Sequence, residues 1–521
     1  MSAPVRALAP ALAAVLLAAA VAGCIKLPTT ASGAEDGVSG GTGGFEWVGP
    51  KSAGLGGKVS VTTPRLQVAL GNPTATGLDD WTPPFDSKPK AVDIDGDGRS
   101  EVVALGNDSK VYVFDSSTGH VLATLQTTLV PGWYIDHVLN GVEAGVLHPH
   151  EPVSLVVANS AANVAAFRFV PGSSTAEAFE FEKVWERRLN GCNPQPSMDS
   201  KPVLADLDGD GALEVLLQTE EVGVFALRPD GSTLWKQCWS GGNADPVADD
   251  LDGDGRLEAI FAADNGFVSV LDGVSGTVEW TYDARTAGIT PASISVAPTV
   301  AELDGRAPKE LVFTARNAPS PDPEEFSSNH MAIIAVHASK ETGWDGEALW
   351  IRKPDWANPL SYTHIVARDV DGDGRTDLFG MDWNTIGHLP GNWERLGDAH
   401  AFRLDSDGDD VWVHAIDTWW SNKDIAVVDA NGDGELDVLV NGPYVGQDGI
   451  WILSADDGEA SAFLPAGGWK VLRGPQLVDL SQSGKVQMVI PVEPVDPADR
   501  RGSILIVDLG VDFDPSWAGG A

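Results

Sequence analysis

An acidic nine-residue segment recurs along the chain, and it limits the possible folds more than any other feature. Its pattern is D-x-D-x-D-G-x-x-[DE], and intact copies begin at Asp93, Asp206, Asp250, Asp369 and Asp429. Degenerate copies begin at Glu302 and Asp479, and the strand-like sequence from Ser154 marks one more unit. The starts from 93 to 479 are spaced by about 55 residues on average. A period of this size is typical of solenoids and propellers.

Each repeat unit contains short apolar runs of β-strand length. After the first acidic segment come Val102–Leu105, a Gly-Asn-Asp turn, Val111–Phe114, a second turn and Val121–Leu125. Alternating runs bounded by such turns predict strands rather than helices. With the apolar residues that precede each acidic segment, every unit has four strands, which indicates an all-β propeller.

We predict a single propeller over residues 58–512, with eight blades favoured and seven as the alternative. Residues 58–70 are expected to supply the outer strand of the last blade and so close the ring. Residues 1–23 are predicted to be a signal peptide, 24–57 a Gly/Ser-rich flexible linker and 513–521 a C-terminal tail.

The acidic segment has the composition of a calcium loop. Numbering it from its first acid, the side chains at positions one, three, five and nine can converge, and the carbonyl of position seven can complete the set. Hard oxygen ligands on one short loop suit Ca²⁺. An EF-hand would need an acid at position twelve and flanking helices, and here position twelve is never acidic and strands follow.

These loops and the strands after them resemble FG-GAP/VCBS repeats, as in the integrin α-chain propeller. The resemblance covers residues 85–510 and implies about five structural Ca²⁺ sites. The implied ligands, with position seven contributing its carbonyl, are Asp93, Asp95, Asp97, Arg99 and Glu101; Asp206, Asp208, Asp210, Ala212 and Glu214; Asp250, Asp252, Asp254, Arg256 and Glu258; Asp369, Asp371, Asp373, Arg375 and Asp377; and Asp429, Asn431, Asp433, Glu435 and Asp437.

Two copies depart from this pattern. Arg306 stands at position five of the copy from Glu302, where its cationic side chain is expected to replace a metal. The copy from Asp479 keeps one acid and ends in Gln487, so it is not counted as a metal site.

Residues 266–280 also resemble quinoprotein propeller repeats, which we interpret as blade packing with Trp235, Trp280 and Trp350 between sheets.

The N-terminus predicts export and a lipid anchor. Arg6 is followed by an apolar stretch and then by Val21-Ala22-Gly23-Cys24, which resembles the bacterial lipobox. The resemblance implies cleavage before Cys24 and its diacylation. The protein is therefore expected in the bacterial cell envelope, at the outer membrane, on its periplasmic side or at the cell surface.

Net charge and cysteine content limit the partners. The chain has 34 Lys and Arg against 75 Asp and Glu, a formal charge of −41, which disfavours nucleic acid. Its three cysteines are too few for a disulfide scaffold, but Cys192 and Cys238 flank the second intact loop. A disulfide between them is expected after export, with two buried thiols as the alternative.

The region from 344 to 420 holds 8 of the 18 tryptophans, which suggests a ligand surface. Tryptophans beside carboxylates and amides can stack on sugars or anchor a protein. The candidates, set against an alternative of simple packing, are Trp356, Trp383, Trp393, Trp419 and Trp420.

No cluster of catalytic residues is identifiable, so we predict a monomeric binding scaffold for an envelope protein or glycan. The enzymatic alternative is a polysaccharide lyase on a calcium-binding propeller, which the acidity of the chain disfavours because its substrate would be polyanionic. A third interpretation is an assembly factor or adhesin subunit that binds envelope proteins.

Overall fold

The computed structural model describes most of the chain beyond residue 87. The described residues are 88–106, 110–128, 139–193, 196–220, 222–290, 292–305, 309–317, 331–337, 348–357, 363–382, 386–389, 392–395, 399–416, 424–444, 447–466, 469–471, 474–494 and 503–514. The predicted signal peptide, linker and closing strand (58–70) lie outside them, as do Cys24, Arg306, Trp383, Trp419 and Trp420.

The described chain forms eight antiparallel sheets that are the blades of an all-β propeller. The first four blades each follow chain order from inner to outer strand. Their strands are β1 (Lys90–Val92), β2 (Glu101–Leu105), β3 (Lys110–Phe114) and β4 (Val121–Gln126); β5 (Leu139–Gly145), β6 (Ser154–Asn159), β7 (Asn163–Phe169) and β8 (Phe181–Arg188); β9 (Val203–Ala205), β10 (Glu214–Gln218), β11 (Val222–Leu227) and β12 (Thr233–Ser240); and β13 (Val247–Asp249), β14 (Glu258–Ala262), β15 (Phe267–Asp272) and β16 (Val278–Asp283).

The last four blades vary this plan. Blade five has a divided inner strand, blade six contains an inserted hairpin (β24–β25), and blade eight has two short inner strands along β34. Their strands are β17 (Ala292–Ser293), β18 (Thr299–Ala301), β19 (Glu310–Asn317), β20 (Met331–His337) and β21 (Ala348–Arg352); β22 (Val366–Arg368), β23 (Asp377–Met381), β24 (Ile386–Leu389), β25 (Asn392–Arg395), β26 (Ala399–Leu404) and β27 (Asp410–Ile416); β28 (Ala426–Val428), β29 (Asp437–Tyr444), β30 (Gln447–Ser454) and β31 (Ala460–Pro465); and β32 (Trp469–Val471), β33 (Gln476–Val478), β34 (Lys485–Pro494) and β35 (Ser503–Asp512).

The hydrophobic core is divided among the junctions between blades. Buried apolar side chains in the described chain form eight clusters, and each cluster joins two adjacent blades. The cluster between blades four and five, for example, packs Ile260 and Val270 against Phe313 and Ile334. Each such side chain contributes roughly 1.5–3 kcal/mol by leaving water, so the faces of neighbouring sheets hold the ring together.

The ring closes between blade eight and blade one. Val102 and Phe114 of the first blade pack against Val489 and Ile506 of the last. The Ser100 N–H also donates a 2.7 Å hydrogen bond to the Leu480 carbonyl across this junction. The prediction of eight blades is therefore confirmed.

A tryptophan in the outer strand of four blades docks on a glycine of the next blade. The indole N–H of Trp235 donates to the Gly273 carbonyl at 2.7 Å, and a Cβ on Gly276 would lie 2.5 Å from the indole. Gly276 also has φ +67°, so the turn requires glycine for both its conformation and its contact. The other three pairs are Trp185 with Gly231, Trp350 with Gly408 and Trp412 with Gly458.

The two ends of the propeller axis carry different segments. The acidic segments and the turns between third and fourth strands lie at one end, which we call the acidic-loop face. Turns between second and third strands and the links between blades lie at the other end, the connection face. Between the described strands, the five connections of twelve or more residues all begin and end at the connection face: 127–138, 189–202, 318–330, 353–365 and 382–398.

Helix is nearly absent from the described residues, which contain one short 3-10 turn (Ala284–Ala287). Within this part of the chain, no helix has the length and apolar character needed to cross a lipid bilayer.

Candidate metal centres and the connection face

The five intact acidic loops share one hydrogen-bonded conformation. In the first loop, the two carboxylate oxygens of Asp93 accept the N–H groups of Gly96 and Gly98 at 2.8 and 3.1 Å. Asp95 accepts the Asp97 N–H, and Asp97 accepts the Arg99 N–H. The same bonds recur in the loops that begin at Asp206, Asp250, Asp369 and Asp429.

The acid at position nine begins the second strand and fastens the loop to it. Glu101 accepts the N–H of Ile94 at 2.9 Å through Oε2 and is 6% exposed. Glu214, Glu258 and Asp437 make the same bond to position two of their own loops. In the last blade Gln487 does so through its amide oxygen, at 2.8 Å. The bond therefore does not require a charge.

Burial makes these carboxylates difficult to ionise. Desolvation, assisted by the nearby aspartates of the same loop, raises the pKa of Glu101 to about 7. The same causes raise the pKa of Glu214, Glu258 and Asp437 to about 7. Burial also raises the pKa of Asp377, but there Arg403 opposes the shift from 3.1 Å away. A divalent cation would relieve the repulsion in each loop.

In four of the five loops the structure brings three of the four predicted side-chain ligands together, and the fourth (Asp97, Glu214, Glu258 or Asp377) lies outside the group. Carboxylate oxygens lie within 4.8 Å of one another in four of the loops. These groups are Asp93, Asp95 and Glu101; Asp206, Asp208 and Asp210; Asp250, Asp252 and Asp254; and Asp369, Asp371 and Asp373. In the loop from Asp429, position three is Asn431, whose side-chain oxygen accepts the Asp433 N–H as Asp95 accepts that of Asp97. The carbonyl ligands at position seven stay a prediction.

The predicted disulfide pair is bonded in the structure. Cys192 in the link to blade three is joined to Cys238 on β12, with Cα atoms 5.1 Å apart. The bond ties a fourteen-residue connection to the outer strand of the blade that it enters.

The connection face carries a ring of four charged side chains and one histidine, here called the charged ring, which sequence reasoning missed. Each member lies two residues before an inner strand: Lys88, Lys201, Asp245, His364 and Asp424. Lys201 pairs with Asp245 at 3.1 Å, and Lys88 with Asp424 at 3.5 Å. Burial opposes ionisation of Asp245, but the charge of Lys201 lowers its pKa below the usual value. The sequence signal that could have revealed these residues is their constant position, two residues before the first residue of an inner strand.

A histidine–aspartate pair closes the base of the hairpin inserted in blade six. His400 Nδ1 lies 3.2 Å from the fully buried Asp382, and the ring of Trp356 is 5.7 Å from the imidazole. Trp356 also packs against Phe402, with ring centroids 4.9 Å apart, so this predicted ligand residue is half-buried.

All five candidate tryptophans belong to connections that begin and end at the connection face. Trp356 lies between β21 and β22, Trp383 and Trp393 between β23 and β26, and Trp419 and Trp420 between β27 and β28. Trp393 is on β25 of the inserted hairpin.

The sequence matches no protein-family model and no curated protein. Among solved structures, the chain is similar to the Vibrio cholerae biofilm matrix protein Bap1, with a TM-score of 0.53 and 13% identity over 88% of this chain and 92% of that one. It is also similar to the quinohemoprotein alcohol dehydrogenase of Comamonas testosteroni, with a TM-score of 0.51 and 12% identity over 83% and 75%. BamB from Moraxella catarrhalis has a TM-score of 0.46 and 14% identity over 80% and 96%. At identities this low, the similarity to these structures shows only that the chain shares the propeller fold.

Proposed function

We propose that this protein is an exported, lipid-anchored, calcium-stabilised propeller of the FG-GAP/VCBS type that binds an envelope protein or glycan through its connection face. The separation of the two faces carries the proposal. The acidic loops occupy one face in a repeated, internally bonded form, whereas the connections of twelve or more residues between described strands begin and end at the other. Long connections on a rigid scaffold are where binding residues concentrate.

Calcium is the cation that the acidic loops fit best. The ligand set at positions one, three, five and nine consists entirely of carboxylate and amide oxygens, which are hard ligands. The chain itself orients the set, because backbone N–H groups hold the aspartates and the position-nine acid is fixed at the edge of a blade. The role of calcium would be structural: it would neutralise the loop that enters each blade.

Anchoring would follow from the lipobox-like residues 21–24. Acyl chains on Cys24 would hold an acidic protein at a membrane whose own charge repels it.

Propellers serve many functions, so the ligand is inferred from the site rather than from the fold.

Replacing residues 383–398 by a short Gly/Ser link tests the binding face. We expect photo-crosslinks from the anchored full chain to envelope components, or its binding to surface glycans, to fall at least tenfold, because this insertion carries two candidate tryptophans. The matched control shortens the β7–β8 turn (171–177) on the acidic-loop face, and its binding should match that of the wild type. Equal losses in both variants, or in neither, would refute the assignment of the face.

The stabilising effect of calcium should depend on pH. In metal-free protein, position-nine acids with pKa values about 7 bind protons more tightly than in the unfolded chain, so stability should fall as pH rises from about 5 to 8. Calcium binds the ionised form of these carboxylates. The stabilisation of the folded state by calcium should therefore increase as the pH rises from about 5 to 8. The difference in Tm between calcium and chelator, measured at pH 5.5 and 8, should be much larger at pH 8. A constant difference would contradict the mechanism.

A further inference from the structure

Blade five contains an acidic copy that departs from the calcium pattern at position five, yet its position-nine acid is placed as in the intact copies. Glu310 accepts the Leu303 N–H at 2.8 Å through Oε2. Its side chain has no exposed surface, and its second oxygen, Oε1, makes no hydrogen bond. A buried carboxylate oxygen whose polar neighbour, an imidazole nitrogen, does not form an aligned hydrogen bond is poorly satisfied, and a cation there would be stabilised.

A histidine faces that oxygen from the neighbouring strand. His337 ends β20 and is the direct cross-strand partner of Glu310 on β19. Its Nδ1 lies 3.2 Å from Glu310 Oε1. The equivalent cross-strand residues are Asp272 in blade four and Ser454 in blade seven, so the imidazole distinguishes this blade from those two.

Asp304, at position three of the loop, completes a group of three. One ligand atom from each of Asp304, Glu310 and His337 lies within 4.8 Å of the other two. Glu302, at position one, has a buried oxygen without a hydrogen bond, and its charge acts on Glu310. The nearby guanidinium of Arg375 binds the Leu303 carbonyl and is paired with Asp407 at 2.8 Å.

In place of the sequence expectation that Arg306 substitutes for a metal in this copy, we propose that Asp304, Glu310 and His337 bind a divalent transition metal such as Zn²⁺. An imidazole nitrogen combined with two carboxylates suits zinc and its neighbours, whereas Ca²⁺ takes oxygen ligands. The hydrogen bond from Leu303 N–H to Glu310 Oε2 would orient this ligand, as the supporting groups of metal sites do. The site goes beyond the proposed binding role and lies on the face opposite to the proposed ligand surface.

Metal content after selective exchange tests the site. Full-length protein is stripped with a chelator, returned to millimolar CaCl₂ to occupy the oxygen-only loops, equilibrated with micromolar ZnSO₄ and desalted into calcium buffer. We expect one zinc per chain by elemental analysis. Cobalt(II) in place of zinc should give visible d–d absorption bands that excess calcium does not remove.

Two variants assign the ligands. Glu310→Gln should still accept the Leu303 N–H, because Gln487 accepts the equivalent N–H of Leu480 in blade eight. His337→Ala removes the nitrogen ligand. Each should reduce bound zinc from one equivalent to below 0.1 while leaving the calcium-dependent Tm within about 2 °C of wild type. The control His120→Ala, at a histidine on the same face that contacts the Glu177 carbonyl, should retain the full equivalent.

Several results would overturn the site. Wild type that retains no zinc in calcium buffer would show that the group is a histidine–carboxylate ion pair only. Zinc retained equally by His337→Ala would place the metal elsewhere, and displacement of cobalt by millimolar calcium would make the site another calcium loop. None of these results bears on the connection face, whose test is separate.

Discussion

Chelation of calcium is expected to lower the Tm of the full-length protein by about 15 °C at pH 8. A ligand at 100 times its Kd stabilises the folded state by about 2.7 kcal/mol, so five loops would contribute roughly 13 kcal/mol. The unfolding entropy is about 2.1 cal/mol/K per residue, or about 0.9 kcal/mol/K for a propeller of roughly 430 residues. Differential scanning calorimetry in calcium and in excess EGTA measures the shift.

A single conservative variant shows whether the acidic loops are responsible. Glu214→Gln should keep the hydrogen bond to the Leu207 N–H but lose a charged ligand. We expect it to bind one calcium fewer and to lose about a fifth of the chelator effect. In EGTA it should be at least as stable as wild type, because it removes a buried acid with a pKa about 7. Identical melting curves with and without calcium in wild type would refute the structural role of the metal.

The largest effect of one substitution is expected at a joint between blades. Trp235→Ala should reduce the free energy of unfolding by about 3–5 kcal/mol, since Trp235 is 7% exposed and packs on Phe261 and Gly276. Trp235→Phe should cost about 1–3 kcal/mol, because the Gly273 carbonyl loses its donor. Urea unfolding in saturating calcium measures both.

The opposite side of the same joint provides a second test. Gly276→Ala should cost about 1–2 kcal/mol from its left-handed conformation alone, and more from the contact with the indole. The matched control is Val278→Ala on the same blade, where the side chain is 42% exposed and the change should stay within about 0.5 kcal/mol. A Trp235→Ala variant within 1 kcal/mol of wild type would contradict this account of the joint.

Local sequence patterns were sufficient for much of this architecture. The acidic segment was enough to predict each tight loop, because the loop is held by local bonds: its aspartates accept backbone N–H groups two to five residues away. The alternating runs after it predicted the strands, and the period predicted the number of blades. Packing of Trp235, Trp280 and Trp350 between sheets was also predicted, and all three lie in clusters that join adjacent blades. The indole N–H groups of Trp235 and Trp350 donate across their junctions.

Contacts between distant parts of the chain could not be predicted in this way. Gln482 meets Asp93 across 389 residues, because the ring brings its last blade beside its first. His337 lies opposite Glu310 because of the register between β19 and β20. The sequence did not predict this register, since the long connection between the two strands has no turn motif that would fix it. The charged ring at the connection face joins residues from five blades, and their proximity depends on the curvature of the whole structure.

Because every apolar cluster joins two sheets, no sheet has enough interior of its own to persist after its neighbours detach. Detachment of one blade would expose the apolar faces of both neighbouring blades and leave the ring open. We therefore expect the described domain to denature as one cooperative event. The same geometry limits how such a gene can change length, since a duplicated or deleted unit alters the angle at every remaining joint.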